Sequence, residues 1–227
     1  MDKLLTVVIP SYNVEKFLNQ TLDSFICDEA VMKKFEVIVV DDGSKDNTAK
    51  IGKEYADKYP DTFRVISKEN GGHGSNINCG IRNAVGKYFK VVDGDDWVYA
   101  ADFVKLVEDL EKTESEYVFT NYNEYYDDVN RQKSVDFPQF KDGTEYDFAD
   151  VANKVYIPMH ALVIKTSVLK DNNIVIDEKC FYVDAEYVIF PLPYIQTVSA
   201  IPDFVYQYRI GMSTQSMSIE NMMKRCS

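Results

Sequence analysis

Short apolar runs alternate with segments of helical periodicity along the first hundred residues. Four runs are rich in β-branched and aromatic side chains, which is typical of buried strands: residues 4–10, 35–40, 63–67 and 88–92. Between them, apolar residues recur every three or four positions, as a helix that buries one face requires. Strands that alternate with helices over short connections predict an α/β fold, with a mostly parallel central sheet flanked by helices.

The second half of the chain is less regular. Its patterns predict strands over 159–165 and 204–210, and a helix that begins near 182 and is interrupted by Pro191 and Pro193. No repeat, low-complexity linker or break in composition divides the chain, so we predict a single domain over residues 1–227. The last residues, ENMMKRCS, carry no clear stop signal, which is compatible with a natural chain that continues.

Polar residues and glycines follow each of the first four predicted strands. The carboxyl ends of parallel strands meet at one edge of a sheet, and ligands bind beyond that edge. The segments brought there are Pro10 to Tyr12, Asp41 to Gly43, Lys68 to His73, and Asp93 to Asp96. The sequence therefore predicts a ligand site built from these four loops.

Three carboxylates follow the fourth predicted strand in the stretch VVDGDDW, at Asp93, Asp95 and Asp96. Carboxylates this close raise one another's pKa unless a cation neutralises them. Mg²⁺ or Mn²⁺ prefers oxygen ligands and leaves coordination positions open for phosphate oxygens. The cluster predicts a divalent metal site, and the competing interpretation is a solvated acidic turn that caps the helix near residue 100.

Two other loops at this edge carry candidate ligand contacts. An aspartate of the pair Asp41–Asp42 can accept hydrogen bonds from a base or ribose, although an Asp-Gly turn with a helix N-cap explains the same residues. The stretch NGGHGSN offers backbone N–H groups near a helix N-terminus, which suits phosphate, and a flexible connector is the alternative. His73 within it is either a ligand contact or a surface histidine.

Another pair of acids, Asp184 and Glu186, lies between aromatic residues in FYVDAEY. A partly buried carboxylate beside a substrate hydroxyl can act as a general base. The alternative is a helix start that places acids at its positive end.

Composition narrows the class of protein. The chain has 227 residues and a formal net charge of -12, which disfavours binding of nucleic-acid phosphates. No apolar run approaches the ~20 residues that cross a bilayer, and the start, MDKLLTVVIPSYN, is typical of a first strand rather than a signal peptide. Two histidines argue against a zinc site, and four widely spaced cysteines favour a reduced, cytoplasmic setting: Cys27, Cys79, Cys180 and Cys226.

Five stretches in this order resemble the family-2 glycosyltransferases, which have the GT-A fold: VVIPSYN at 7–13, VIVVDDGSKDNT at 37–48, ENGGHGSNIN at 69–78, GKYFKVVDGDDW at 86–97 and FYVDAEY at 181–187. The resemblance implies transfer, with inversion, from a nucleotide-sugar donor, with a UDP-sugar favoured, to a saccharide or lipid-linked acceptor. It also implies a divalent cation, Mn²⁺ or Mg²⁺, and a role in cell-surface polysaccharide or glycolipid synthesis, in the cytoplasm or at the inner membrane face.

The resemblance divides the chain into a nucleotide-sugar-binding half, residues 1–98, and an acceptor-side half, residues 99–227. It assigns Asp184 as the general base, and Asp95 with its neighbour Asp96 as metal ligands. The residues expected to bind the nucleotide sugar are Pro10, Tyr12 and Asp42 at the base, Asp93 near the ribose, Arg209 near the diphosphate, and Lys68, Asn70, Gly71 and His73 in the glycine loop.

The chain departs from the family pattern at two positions. Ile77 stands where the family commonly has an arginine, so Lys68, His73 or Asn76 is expected to replace its phosphate contact. Val183 stands where an acid commonly precedes the base.

A nucleotidyltransferase and a non-catalytic, metal-binding receiver domain are the competing interpretations. The first usually has a basic glycine-rich loop after its first strand, where this chain has PSYN. The second clusters its acids after strand one and carries a phosphoacceptor after strand three, whereas the acids here follow strands two and four.

Overall fold

The computed structural model describes residues 3–127, 129–154 and 156–211. Cys226 and the terminal sequence ENMMKRCS lie outside the described residues. The strands are β1 Leu5–Ser11, β2 Phe35–Asp41, β3 Phe63–Ser67, β4 Tyr88–Val91, β5 Trp97–Val98, β6 Tyr117–Tyr126, β7 Arg131–Val135, β8 Glu145–Asp147, β9 Leu162–Lys165 and β10 Thr197–Ile210. The helices are α1 Leu18–Asp23, α2 Glu29–Met32, α3 Thr48–Lys58, α4 His73–Asn83, α5 Ala100–Leu110, α6 Phe148–Val151, α7 Thr166–Asp171 and α8 Val183–Ile189, with short 3-10 helices at Met159–Ala161 and Leu192–Tyr194.

The first four strands form the parallel sheet that the sequence predicts. β1 pairs in parallel with β2 and with β4, and β2 pairs in parallel with β3. The registers set Ser11 beside Asp41, and Asp41 beside Ser67. The loops that follow these strands therefore leave the sheet at one edge.

The described strands join into one ten-stranded sheet, with the main order β3-β2-β1-β4-β9-β6-β10-β5. Antiparallel pairs join β9 to β4 and β6, and β10 to β5 and β8, whereas β6 and β10 run parallel. The sheet is thus parallel in its first half and mixed in its second. Strand order reverses between β1 and β4, which is the point where open α/β sheets bind ligands.

Two predicted strands of the second half have different bounds in the structure. The segment 159–165 begins with a 3-10 turn, and its strand starts at Leu162. The segment 204–210 is the end of the longer strand β10. The predicted helix near residue 182 is α8, which ends before Pro191.

Pro202 explains why the first part of β10 escaped the sequence pattern. The pairing of β10 with β6 shifts register between Ile201 and Phe204, because proline cannot donate to the ladder. The side chain of Asn121 compensates there, since its Nδ2 donates to the carbonyl of Pro202 at 2.8 Å.

Helix α4 packs directly on β1 because a glycine faces the sheet. A Cβ atom at Gly80 would lie 2.4 Å from Cγ2 of Val8, which is fully buried in the middle of β1. The close approach fixes α4 against the sheet, and α4 carries His73 at its first turn.

We expect Gly80→Ala to lower the free energy of unfolding by about 1–3 kcal/mol, because the added methyl group overpacks the contact with Val8. The sign is the reverse of an exposed helix site, where alanine stabilises by about 0.5–1 kcal/mol relative to glycine. Urea unfolding followed by circular dichroism measures the change. Arg82→Ala, at an exposed position of the same helix, is the control and should shift stability by less than about 0.5 kcal/mol. A Gly80→Ala protein as stable as the wild type contradicts the tight contact.

Candidate active site

A cleft of about 730 Å³ opens at the carboxyl ends of β1 and β4. It contains six of the residues that the sequence singles out, which are Pro10, Tyr12, His73, Asp93, Asp95 and Asp184. The topology accounts for most of this set, because five of the six lie at the carboxyl ends of parallel strands or in the segments that follow them. Asp184 reaches the cleft separately, in the first turn of α8.

Asp42 lies beside the cleft and organises the glycine loop. Its buried carboxylate accepts the N–H of Gly71 at 2.9 Å and the N–H of Gly72 at 2.8 Å, and it pairs with Lys68. Asn70 Nδ2 donates to the backbone carbonyl of Asp42 at 3.0 Å. Four residues predicted to bind the nucleotide sugar, Asp42, Lys68, Asn70 and Gly71, are therefore joined through Asp42. Their contact with a nucleotide stays a prediction.

Asp93 carries a buried oxygen without a hydrogen-bond donor. Its Oδ1 has no hydrogen-bond partner among the described residues, and Nε2 of His73 lies 3.7 Å from it. Burial, with the negative charges of Asp95 and Asp184, raises the pKa of Asp93 to about 6, although His73 lowers it in part. The structure thus holds a carboxylate that needs a cation or a proton.

Asp96 anchors the acidic loop, residues 93–96, to the interior of the protein. It is 1% exposed, and its Oδ2 accepts the hydroxyl of Tyr206 at 2.5 Å while its Oδ1 accepts the N–H of Arg209 at 2.7 Å. Burial, followed by the charges of Asp95 and Asp93, raises its pKa well above the ordinary value. The carboxylates of Asp93 and Asp95 line the cleft, whereas that of Asp96 is used inside the protein.

Arg209 lies behind the acidic loop. Its Nε donates to the backbone carbonyl of Asp95 at 2.9 Å, Nη2 donates to Oε1 of Gln20 at 2.7 Å, and Nη1 pairs with Asp127. The guanidinium also stacks on the ring of Trp97 at 4.7 Å. This geometry favours a role in holding the backbone of Asp95, and the predicted contact with a diphosphate stays a prediction.

His160 is a site residue that the sequence pattern did not reveal, because it lies in a segment that we interpreted as a strand. It lines the cleft and stacks on Tyr208 at 3.9 Å between ring centroids. Burial, with the charge of Lys90, lowers the pKa of His160 to about 3, so the imidazole is neutral. Lys90 is fully buried below it, and its Nζ donates to the carbonyl of His160 at 2.8 Å. Burial lowers the pKa of Lys90 to about 7.

One set of side chains has the spacing of a metal site. Single ligand atoms of Asp93, Asp96 and His160 lie within 4.8 Å of one another. The set includes the predicted ligand Asp96, and Asp95 lies next to it on the cleft wall. A neutral imidazole and two carboxylates form a donor set that suits Mn²⁺, and the unpartnered Oδ1 of Asp93 supplies the oxygen with the strongest need for a cation.

Asp184 is exposed and also lines the cleft. Its charge raises the pKa of Asp93, and also contributes to the raised pKa of Tyr208. Tyr182, just before the helix, adopts a left-handed backbone with φ 64°. The neighbouring acid, Glu186, points away to accept the N–H of Asp177 at 2.8 Å.

Among the described residues, every helix is too short or too polar to span a bilayer.

Curated relatives match roughly half of the chain. The uncharacterized glycosyltransferase EpsJ of Bacillus subtilis is 38% identical over 118 residues, 52% of this chain and 33% of that protein. The minor teichoic acid biosynthesis protein GgaB of B. subtilis is 34% identical over 111 residues, 49% of this chain and 12% of that protein. The chain thus matches a third or less of the length of these relatives.

Solved structures share the fold over nearly the whole chain. Residues 1–349 of TarS from S. aureus, in complex with UDP-GlcNAc, superpose with a TM-score of 0.76 at 24% identity, covering 92% of this chain and 59% of that one. The mannosyltransferase PcManGT of Pyrobaculum calidifontis, in complex with GDP-Man and Mn²⁺, gives a TM-score of 0.67 at 18% identity, covering 94% and 59%. The GT-A fold expected from the sequence is confirmed.

The family profile named Glycosyl transferase family 2 matches residues 6–172, well over half of the chain. The match includes the acidic loop and the glycine loop, and it ends before Asp184 and Arg209. This chain belongs to glycosyl transferase family 2.

Proposed function

We propose that this protein is an inverting, metal-dependent glycosyltransferase of the hexosyltransferase type. It moves a sugar from a nucleotide-diphosphate donor, with a UDP-sugar favoured, to a hydroxyl of a saccharide or lipid-linked acceptor. The observation that carries the proposal is the cleft at the carboxyl ends of β1 and β4, which Asp93, Asp95 and Asp184 all line. The UDP-GlcNAc complex of TarS and the teichoic acid role in the name of GgaB support a nucleotide-sugar donor and a cell-surface polymer.

The acidic residues of the cleft fit a divalent cation, Mn²⁺ or Mg²⁺. Asp93, Asp96 and His160 would supply ligand atoms, and Asp95 lines the same cleft. When bound, such a cation neutralises the charge that develops on a departing diphosphate. The complex of PcManGT with GDP-Man and Mn²⁺ supports this assignment.

The loops that follow β1, β2 and β3 form the part of the cleft proposed to bind the nucleotide sugar. Tyr12 is 47% exposed and lines the cleft with Pro10, so its ring is available to a nucleotide base. Asp42 holds the glycine loop through Gly71 and Gly72. We propose that this loop and the side chain of His73, at the N-terminus of α4, receive the phosphates, since this end of the helix carries partial positive charge.

Asp184 performs the proton transfer in the proposed reaction. Its carboxylate accepts the proton of the acceptor hydroxyl while the hydroxyl oxygen forms a bond to the anomeric carbon. The bond between that carbon and the diphosphate oxygen breaks in the same displacement, and the diphosphate leaves with the electron pair. A single displacement inverts the anomeric centre and requires no covalent intermediate with the protein.

We expect Asp95→Ala to weaken Mn²⁺-dependent UDP binding at least about tenfold, or ~1.4 kcal/mol, because it removes a carboxylate from the cleft wall. Isothermal titration calorimetry with UDP, with and without Mn²⁺, measures the effect. Asp57→Ala, an exposed acid of α3, is the control. In a thermal-shift assay the wild type should gain about 2.7 kcal/mol at ~100 times the dissociation constant of UDP-GlcNAc. Unchanged UDP affinity in Asp95→Ala contradicts the metal assignment.

We expect Asp184→Asn to keep UDP affinity and to lower turnover about 100- to 10,000-fold, the usual contribution of a general base. The assay is release of UDP from UDP-GlcNAc, with water as the acceptor. Asp150→Asn replaces an exposed acid in the first turn of α6 and should keep full turnover. Undiminished UDP release by Asp184→Asn removes this residue from the role of base.

We expect Asp93→Asn to stabilise the metal-free protein at pH 7 by on the order of 1–3 kcal/mol. The folded-state pKa of about 6 exceeds the ordinary 3.8, so ionisation of Asp93 costs folding free energy that grows as pH rises through this interval. The advantage of the variant should shrink by about half at pH 5. Chemical unfolding in EDTA at both pH values measures it. Added Mn²⁺ should stabilise the wild type more than the variant, and equal stability of the two proteins at pH 7 in EDTA contradicts the buried charge.

A further inference from the structure

The segment that leads to Asp184 rests on helix α4. We name residues 176–182 the strap. Asn78 of α4 bonds the backbone of Ile176 twice, since its Nδ2 donates to the carbonyl at 2.8 Å and its Oδ1 accepts the N–H at 2.9 Å. Asn78 is 4% exposed and Ile176 is fully buried. A side-chain amide that satisfies both backbone groups of one residue fixes that residue much as a neighbouring strand does.

The glycine loop makes the other contacts that hold the strap in place. The carbonyl of Gly71 accepts the N–H of Lys179 at 2.8 Å. Gly74 approaches the strap so closely that a Cβ atom there would lie 2.1 Å from the carbonyl oxygen of Asp177. Gly74 is therefore needed for the contact with the strap, and so is Gly72, which has φ 85° and whose Cβ atom would lie 3.3 Å from the N of Lys179.

The strap is also tied to the helix that follows it. The N–H of Asp177 donates to Oε2 of Glu186 at 2.8 Å, which joins the strap to α8. Tyr182 ends the strap in a left-handed conformation with φ 64°, and Asp184 follows in the first turn of α8. With both connections made, the direction of Asp184 depends on where the strap lies.

The backbone of the glycine loop also contacts Asp42, on the side of the cleft proposed to bind the nucleotide sugar. Gly71 and Gly72 donate their N–H groups to Asp42, and the carbonyl of Gly71 accepts from Lys179 of the strap. One short loop thus connects the end of β2 with the segment that carries the proposed base.

We infer that Asn78 and Gly74 are positioning residues for Asp184, because through the strap they set the distance between that carboxylate and the donor side of the cleft. The inference rests on the proposed function for the role of Asp184, whereas the seating of the strap is independent of it. Neither Asn78 nor Gly74 lines the cleft, so neither is expected to touch a substrate.

The test compares Asn78→Ala with Asn83→Ala. Asn83 lies on the same helix and donates its Nδ2 to the carbonyl of Cys79 at 2.8 Å, within α4, so it is a matched control. Hydrogen exchange of peptides that cover residues 176–186 reports on the strap. Calorimetry with UDP and Mn²⁺ reports on the donor side, and release of UDP from UDP-GlcNAc, with water as the acceptor, reports on Asp184.

For Asn78→Ala we expect exchange in the strap to rise about tenfold, because local opening loses two hydrogen bonds. Turnover should fall about 10- to 100-fold with UDP affinity unchanged, since a catalytic group misplaced by ~1 Å costs on the order of 100-fold. Asn83→Ala should change none of the three. Unchanged exchange in Asn78→Ala, or faster exchange with undiminished turnover, overturns the inference, and so does an equal effect of the two variants.

Two further variants keep the inference testable if Asn78→Ala unfolds. Gly74→Ala leaves every hydrogen bond of Asn78 in place but pushes the carbonyl of Asp177, so exchange in the strap should rise and turnover should fall. Asn78→Ser keeps a hydroxyl that can replace one of the two hydrogen bonds to Ile176, so an effect smaller than that of Asn78→Ala is expected. Failure of the wild type to release UDP defeats the proposed function, and the exchange comparison then still decides whether Asn78 seats the strap.

Discussion

The hydrogen bonds of Asp96 hold the two halves of this protein together at the site. A carboxylate that is 1% exposed receives the hydroxyl of Tyr206 and the N–H of Arg209, both from β10. Leaving a buried hydrogen-bonding group without its partner typically costs about 1–3 kcal/mol, so the loop and the strand are coupled. Thr21 of α1 fixes the same loop from within the first half, since its hydroxyl donates to the carbonyl of Asp96 at 2.6 Å. Because Asp96 is fixed, Asp93 and Asp95 face the cleft.

Two basic side chains lie inside the protein near the acidic residues of the cleft. Lys90 lies fully buried below His160, and Arg209 lies behind Asp95. Burial, with the charge of Lys90, lowers the pKa of His160 and keeps the imidazole neutral, and Arg209 holds a backbone carbonyl. Oδ1 of Asp93 accepts a hydrogen bond from neither side chain and has no hydrogen-bond partner among the described residues.

The sequence predicts the parallel half of the sheet well, and also the edge of the sheet at which the cleft opens, for a physical reason. Apolar, β-branched runs with short helical connections leave few topologies, and parallel strands deliver their following loops to one edge. Asp93 and Asp95 could therefore be grouped with Pro10, Tyr12 and His73 without coordinates. The side chain of Asp42 shows the limit of this reasoning, because its partners depend on the exact path of the glycine loop.

The second half depends on pairings that no local pattern encodes. His160 enters the cleft because β9 pairs with both β4 and β6, whereas the residues around it read as an uninterrupted strand. The start of β10 was hidden by Pro202, whose carbonyl accepts a hydrogen bond from a side chain 81 residues away. The roles of Asn78 and Glu186 likewise appear only when the strap is seen against α4 and α8.

The position of β10 has a consequence for synthesis on the ribosome. The acidic loop is translated more than a hundred residues before Tyr206 and Arg209, which complete its bonding. Contacts of such wide sequence separation form late in folding, because a long chain loop must close first. The nascent amino-terminal half is thus expected to emerge with its aspartates hydrated and unanchored, and the edge that carries the cleft to assemble only after nearly the whole described chain has left the exit tunnel.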